Sequence, residues 1–219
     1  GSEMCIRDSI LGYEAECLLW IYVWFYWGWG MNYYRDSFYL RANVAPRPYE
    51  EEVFCRFLQN YSDRLNASYA AASGILLNDS CLADSERSER ALLFPDRMNL
   101  EAEVKKLYAQ IPGHYGLALP RNFQHPKYLF FNSLYSGVGV LGFMGPFFGE
   151  SHLNHELLPL QYPFTYAHEL SHLLGISNEA EANFWAYQIC IRSISSAVRY
   201  SGYFCLLYTS PSPRDGATS

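Results

Sequence analysis

The residues with the clearest chemical potential are two histidines and a glutamate in the segment HELSH, from His168 to His172. On a helix, His168 and His172 lie about one turn apart on the same face, so both imidazoles can reach one zinc ion. Glu169 lies beside them and can take a proton from a zinc-bound water. The pattern therefore predicts a catalytic zinc site with two histidine ligands and Glu169 as the general base. The alternative is a pair of surface histidines on an ordinary helix.

A catalytic zinc site needs a third protein ligand and an open fourth position. The candidates that follow the motif are Asn178, Glu179 and Glu181. If Gly175 makes a tight turn, the flanking helices form an antiparallel hairpin in which Glu179 lies opposite His172. Glu181 would point about 200° away from Glu179 around the second helix. We therefore predict that Glu179 is the third metal ligand.

The same hairpin pairing places Asn183 opposite His168. An amide at this position can form a hydrogen bond that orients the imidazole. The small residues Ala182 and Ala186 share this face with Cys190 and would let the second helix lie close to the zinc helix. We therefore expect Asn183 to support His168 without binding the metal.

Two other ligand sets remain open. The run HELSHLLGISN fits the metzincin spacing HExxHxxGxxH, but Asn178 replaces the last histidine and a neutral amide is a poor zinc ligand. His152 and His155 precede the zinc helix, and the open fourth position favours their interpretation as the polar end of a strand near the cleft.

The wider sequence predicts an α+β fold. Apolar residues recur at helical spacing over residues 49–72, and Asn99 can cap a second helix that Pro112 ends. Residues 127–154 are rich in glycine and aromatic residues and predict two or three short strands, at least one of them along the metal cleft. Residues 162–174 return to a helix, and Ser177 can cap a last helix that runs to residue 196 or beyond.

The composition limits the partners. The chain has 219 residues, half of them hydrophobic, which is enough for one moderate domain with a core. A net charge of −6 argues against a nucleic-acid partner, which would need a basic face. The six cysteines show no Cys-x-x-Cys spacing, so neither a disulfide scaffold nor a zinc ribbon is expected.

An uncharged aromatic segment, CLLWIYVWFYWGWGM, covers residues 17–31. Its length as a helix is about 22 Å, short of the roughly 30 Å hydrocarbon core of a bilayer. An extension to Ile10 would cross the core but includes Glu14 and Glu16. Tryptophan and tyrosine cluster at its end, as at a membrane interface. We predict a truncated transmembrane helix within residues 10–34, and the alternative is a buried helix of a soluble domain.

The run HELSHLLGISNEAEANFWAY, with the upstream PFFGESHLN and WGWGMNYYR, resembles an uncharacterised bacterial family of integral-membrane proteins, a domain of unknown function placed among HExxH zinc peptidases. The resemblance covers residues 18–204. The run from Glu179 to Asn183 is also similar to the Glu-x-x-Ala-Asp element of membrane gluzincins that cleave prenylated or misfolded membrane proteins. In that element the first Glu is a metal ligand. Asn183 departs from it, as do the six residues between His172 and Glu179.

The resemblance implies a zincin-like metallopeptidase domain over residues 35–204, with zinc as its cofactor and a peptide or protein as its substrate. It also implies an integral membrane protein with the site outside the cytoplasm. Counting Arg35, Arg41 and Arg47 after the apolar segment would instead place the site in the cytoplasm. Two other functions remain open: a catalytically silent zinc-binding membrane sensor or scaffold, and a cytoplasmic peptidase that cleaves a repressor.

Both ends of the chain resemble translated sequencing adapters. MCIRDS covers residues 4–9, and CLLYTSPSPRD covers residues 205–215. We therefore expect residues 1–9 and 205–219 to be foreign to the domain and to make few contacts with it. The alternative for the second segment is a natural tail rich in serine and proline.

Overall fold

The computed structural model describes residues 2–45, 48, 50–73, 94–145 and 147–209. Over these residues the chain is mostly helical and contains a small three-stranded sheet. The α+β fold class predicted from the sequence is therefore confirmed.

The chain begins with a long helix, α1 (Ser2–Gly28), which is followed by a 3-10 helix (Gly30–Tyr34) and the short α2 (Phe38–Arg41). Within the described residues, no helix is both long enough and apolar enough to cross a membrane. The predicted transmembrane helix within residues 10–34 is therefore not supported. The uncharged part of α1 begins only after Glu16, and the helix ends at Gly28.

Two amphipathic helices follow, α3 (Glu51–Ser73) and α4 (Arg97–Ala109). Helix α4 begins earlier than predicted because Asp96, not Asn99, caps it: the Asp96 carboxylate accepts a hydrogen bond of 3.2 Å from the Met98 amide. Helix α3 packs on the last helix of the chain.

The sheet consists of β1 (Lys127–Tyr128), β2 (Gly142–Gly145) and β3 (Glu150–Leu153) in the order β1-β3-β2. Strand β3 is parallel to β1 and antiparallel to β2. A short helix not foreseen from the sequence, α5 (Asn132–Gly137), separates β1 from β2. The three strands confirm the prediction for this region, and β2 lies at one edge of the sheet.

The last part of the chain contains α6 (Tyr162–Leu173), α7 (Glu179–Cys190) and α8 (Ser196–Thr209). The predicted single helix from Ser177 to residue 196 is wrong, because the chain turns between Cys190 and Ser196. Serine side chains stabilise this turn: the Ser193 hydroxyl accepts from the Ser195 amide at 3.0 Å, and the Ser195 hydroxyl accepts from the Val198 amide at 3.5 Å.

The core lies where α6, α7 and α8 meet α4. Small residues allow the close approach: Ala182 and Ala186 of α7 are fully buried, and a Cβ at Gly202 would lie only 2.6 Å from the Cβ of Cys190. The buried Tyr108 hydroxyl of α4 donates to the Ala167 carbonyl of α6 at 2.7 Å. Helix α6, which carries the HELSH motif, is therefore held on several sides.

Helix α8 continues through the expected boundary at residue 204. Cys205 is buried in the core, so the expectation of few contacts is wrong for this residue, whereas Tyr208 is exposed. The foreign origin of residues 1–9 and 205–219 stays a prediction, and Gly1 and residues 210–219 lie outside the described residues.

Candidate metal centre

The structure brings His168, His172 and Glu179 together near the turn that joins α6 to α7. The two Nε2 atoms of the histidines are 3.1 Å apart. The Glu179 carboxylate lies 3.2 Å from His168 Nε2 and 3.5 Å from His172 Nε2. Ligand atoms that bind zinc tetrahedrally at about 2.0–2.1 Å lie about 3.3 Å from one another. The spacing of the three side chains therefore fits one zinc ion.

Hydrogen bonds on the far sides of both imidazoles fix which nitrogen faces the centre. His168 Nδ1 lies 2.8 Å from the Asn183 amide oxygen, and His172 Nδ1 lies 2.7 Å from the Ile176 carbonyl oxygen. Both oxygens accept, so each Nδ1 carries the proton and each Nε2 lone pair is free for a metal. The contact between Asn183 and His168 predicted from the hairpin pairing is present.

The turn between α6 and α7 sets the position of Glu179. Gly175 adopts a φ of 100°, a left-handed conformation that side chains disfavour. Asn178, and not Ser177, caps α7, because its side-chain oxygen accepts from the Glu181 amide at 3.0 Å. The Asn178 side-chain oxygen therefore caps the helix, and Glu179 is the first residue of the helix, beside the histidines.

Glu169 lies next to these ligands but does not belong to their cluster. Its side chain is buried, and its Oε2 has no hydrogen-bond partner among the described residues. Burial raises the pKa of Glu169 to about 7, the His168 charge opposes this rise, and the Glu179 charge adds to it. A carboxyl group with this pKa is suited to accept and return a proton near neutral pH.

Burial and neighbouring charges also shift the pKa values of His168, His172 and Glu179. Burial alone would lower the pKa of His168, but the hydrogen bond to Glu179 and the charges of Glu169 and Glu179 outweigh it and raise this pKa. Burial lowers the pKa of His172. The hydrogen bond to His168 lowers the pKa of Glu179, which favours the carboxylate form that a metal ligand requires.

A cavity of about 310 Å³ opens over these four side chains. Strand β2 forms one wall, so the prediction of a strand along the cleft is confirmed. A Cβ at Gly142 would lie 3.0 Å from Glu169 Oε1, so β2 approaches the glutamate this closely only because residue 142 is a glycine. Another wall comes from α1 and the segment after it, with Phe25, Trp29 and Tyr33.

A family model described as "Protein of unknown function (DUF3810)" matches residues 9–212. The chain belongs to this family. No curated protein and no solved structure matches the chain. The resemblance to an uncharacterised family is thus confirmed, and this DUF3810 description states no activity, so zinc, peptidase activity and membrane location remain proposals.

The remaining candidates from the sequence lie elsewhere. Glu181 turns away from the three candidate metal ligands, as predicted, to pair with Arg41, and it also accepts from Trp185 Nε1 at 3.1 Å. His152 stacks on Phe143 with ring centroids 4.9 Å apart, and neither His152 nor His155 joins the cluster.

The sequence did not indicate the part that residues 29–41 take in this DUF3810 site. Arg35 donates to the Gly175 carbonyl at 2.7 Å and also to the Gly116 carbonyl. The Ser177 hydroxyl donates to the Asn32 carbonyl at 3.2 Å. These contacts join positions far apart in the sequence and hold the turn that precedes Glu179. The sequence feature that could have indicated this role is the pair of arginines, Arg35 and Arg41, that follows the apolar segment.

Proposed function

We propose that this DUF3810 domain is a zinc-dependent metallopeptidase that hydrolyses peptide bonds. The observation that carries the proposal is the convergence of His168, His172 and Glu179 at tetrahedral spacing beside the buried Glu169, whose Oε2 has no hydrogen-bond partner among the described residues. Three ligands and a separate general base are the parts that a hydrolytic zinc site requires. This arrangement also supports a gluzincin-like assignment within a zincin-like domain.

His168, His172 and Glu179 would hold the metal. Zinc, when bound, polarises a water molecule and lowers its pKa towards about 7. Glu169 would accept the proton of that water on its free oxygen and pass it to the nitrogen of the leaving amine. Asn183 would keep the His168 ring in position throughout.

The edge of β2 supports a peptide as the substrate. The Asn154 amide donates to the Leu141 carbonyl at 2.9 Å, so alternate residues of β2 point their backbone groups at β3. The backbone groups of Gly142 and Met144 therefore point to the free edge, and both residues line the metal cavity. An extended peptide can pair with such an edge through main-chain hydrogen bonds.

We also propose that the protein acts at a bacterial membrane, with its site outside the cytoplasm. The support is the uncharged part of α1, where Trp20, Trp24 and Trp27 are exposed. Exposed tryptophans on an apolar helix are typical of surfaces at a membrane interface. Fractionation of cells that express the protein, followed by protease protection of intact cells, tests both parts of this proposal.

Metal analysis and one conservative substitution test the enzymatic proposal. Wild-type protein should retain about one zinc per chain, and His168→Ala should lose it. Glu169→Gln should keep the zinc and lose hydrolysis of a peptide pool, because the amide cannot accept the proton. Glu156→Gln, at an exposed position on the loop before α6, is the matched control and should change neither.

The same experiment separates the alternative, a catalytically silent zinc-binding sensor or scaffold. That protein would also bind zinc through the two histidines, but wild type and Glu169→Gln would both leave the peptides intact. Hydrolysis that persists at full rate in Glu169→Gln would refute the assigned role of this residue. Absence of zinc from the wild-type protein would refute both functions.

A further inference from the structure

A second cavity, of about 560 Å³, adjoins the metal cavity. The two share Tyr33 and Ser177 in their linings. Ser177 immediately precedes the cap of α7, two residues before Glu179. A peptide that lies over the candidate metal ligands can therefore place a side chain in the second cavity.

Four of the twelve residues that line this second cavity are aromatic. Rings from the N-terminal segment face a ring from α7, and the ring centroids of Phe38 and Phe184 are 5.3 Å apart. We call it the aromatic pocket and define it by Tyr33, Phe38, Tyr39 and Phe184. Tyr39 and Phe184 remain exposed to solvent, so their ring surfaces are available to a ligand. Exposed ring surfaces of this kind bind aromatic and apolar groups of a ligand.

The charged residues of the aromatic pocket do not select an acidic ligand. Arg41 pairs with Glu181 and also donates to the Tyr115 carbonyl at 3.0 Å and the Asp36 carbonyl at 2.8 Å. Arg35 and Arg41 carry two positive charges, and Asp36 and Glu181 carry two negative charges, so the four sum to zero. An acidic side chain would find no unpaired guanidinium among these donors, since Arg35 already binds two backbone carbonyls.

We propose that the aromatic pocket is a specificity subsite that takes a large apolar side chain, preferably aromatic, from the residue of the peptide substrate adjoining the scissile bond. This inference rests on the proposed peptidase function and names its substrate class. The side chain enters between Tyr39 and Phe184 while the peptide backbone lies along the free edge of β2. The guanidinium groups of this cavity already have partners, which excludes an acidic side chain from this position because it would be desolvated without one.

Hydrolysis of short, internally quenched peptides tests the preference. Zinc-loaded wild-type protein should cleave a peptide with Phe beside the scissile bond at least about tenfold faster, in kcat/KM, than the same peptide with Ala, Asp or Lys there. Phe184→Ala should remove this preference, so that its kcat/KM values for the Phe and Ala peptides become equal. Tyr39→Ala, at an exposed position outside the core, is a second variant that should reduce the preference without affecting folding. Phe130→Ala, a highly exposed aromatic residue that lines neither cavity, is the matched control.

A charge substitution gives an independent prediction. Phe184→Asp places a carboxylate in the aromatic pocket and should shift the preference from the Phe peptide to the Lys peptide. Equal cleavage of all four peptides by wild type, or an unchanged preference in both Phe184 variants, would overturn the assignment. Unchanged zinc content in each variant shows that the metal centre is intact.

Binding measurements separate failure of the subsite from failure of the peptidase proposal. Glu169→Gln protein should bind the Phe peptide at least about tenfold more tightly than the Ala peptide, measured by fluorescence anisotropy, and Phe184→Ala should abolish the difference in this background. Selective binding without hydrolysis by wild type would retain the subsite and refute the peptidase. If wild type hydrolyses all four peptides equally and binds the Phe and Ala peptides equally, the peptidase proposal is retained and the subsite is refuted.

Discussion

Replacing Arg41 by methionine removes the positive charge that neutralises Glu181. The two side chains are only 12% and 8% exposed, so the ion pair lies largely out of water. Arg41 also donates to the backbone carbonyls of Asp36 and Tyr115. The substitution therefore breaks the ion pair and two hydrogen bonds at the junction between α2 and the first turn of α7.

Removing one partner of a buried ion pair costs about 3–5 kcal/mol, because the remaining charge stays buried without compensation. Trp185 continues to donate to the Glu181 carboxylate, which places the expected loss for Arg41→Met near the lower end, at about 3 kcal/mol. In a chain of this size each kcal/mol lowers the Tm by about 2–4 °C, so a decrease of about 6–12 °C is expected.

Urea unfolding followed by circular dichroism measures this loss. The matched control is Arg56→Met, because Arg56 pairs with Glu52 on the surface of α3 at 4.0 Å with side chains 67% and 82% exposed. That control should lose less than about 0.5 kcal/mol. The double variant Arg41→Met/Glu181→Gln should be more stable than Arg41→Met alone, since the unpaired charge is gone. A loss below about 1 kcal/mol for Arg41→Met would refute the buried-pair reasoning.

Three further predictions concern the site and the core. Asn183→Ala should lower zinc affinity about 10- to 100-fold in a chelator competition assay, because His168 loses the partner of its Nδ1; unchanged affinity would contradict this role. Gly142→Val should cost about 1–3 kcal/mol in unfolding experiments, because its Cβ has no room on β2; a fully stable variant would contradict the close approach. Burial raises the pKa of Cys205 to about 11, so the unfolded chain releases this thiol proton first and the free energy of unfolding should fall as pH rises from about 8.5 to about 11. Cys205→Ala should remove that part of the pH dependence, and an identical dependence in both proteins would refute it.

The α6–α7 hairpin could be predicted from the sequence because local rules determine it. Helical periodicity fixes the faces of both helices, and a glycine between them permits the tight turn, so the contact between His168 and Asn183 follows from counting residues. The helix boundaries could not be predicted as well, because several neighbouring polar residues can each cap a helix. The sequence predicted Ser177 and Asn99 as caps, whereas Asn178 and Asp96 cap the helices in the structure.

Contacts between distant parts of the chain could not be predicted in this way. Arg35 and Gly175 are separated by 140 positions, and no periodic pattern links them. A Cβ at Gly175 would lie 2.0 Å from the Arg35 guanidinium, so this glycine serves the packing of the N-terminal segment as well as the turn. From the sequence, this glycine predicts only the turn and not its contact with Arg35. The same holds for the aromatic pocket, whose two sides come from residues 33–39 and from Phe184.

The site contains two glutamates, and their surroundings give them different properties. The Glu179 side chain is 75% exposed and its pKa is lowered by the hydrogen bond to His168, so it is a carboxylate at neutral pH. Glu169 is 5% exposed beside β2, and burial raises its pKa to about 7. A carboxylate that stays ionised suits a metal ligand, whereas one that gains and loses a proton near neutral pH suits a general base. Strand β2, which Gly142 lets approach closely, covers Glu169, whereas the hairpin leaves Glu179 exposed, and this difference in packing gives the two carboxyl groups different pKa values.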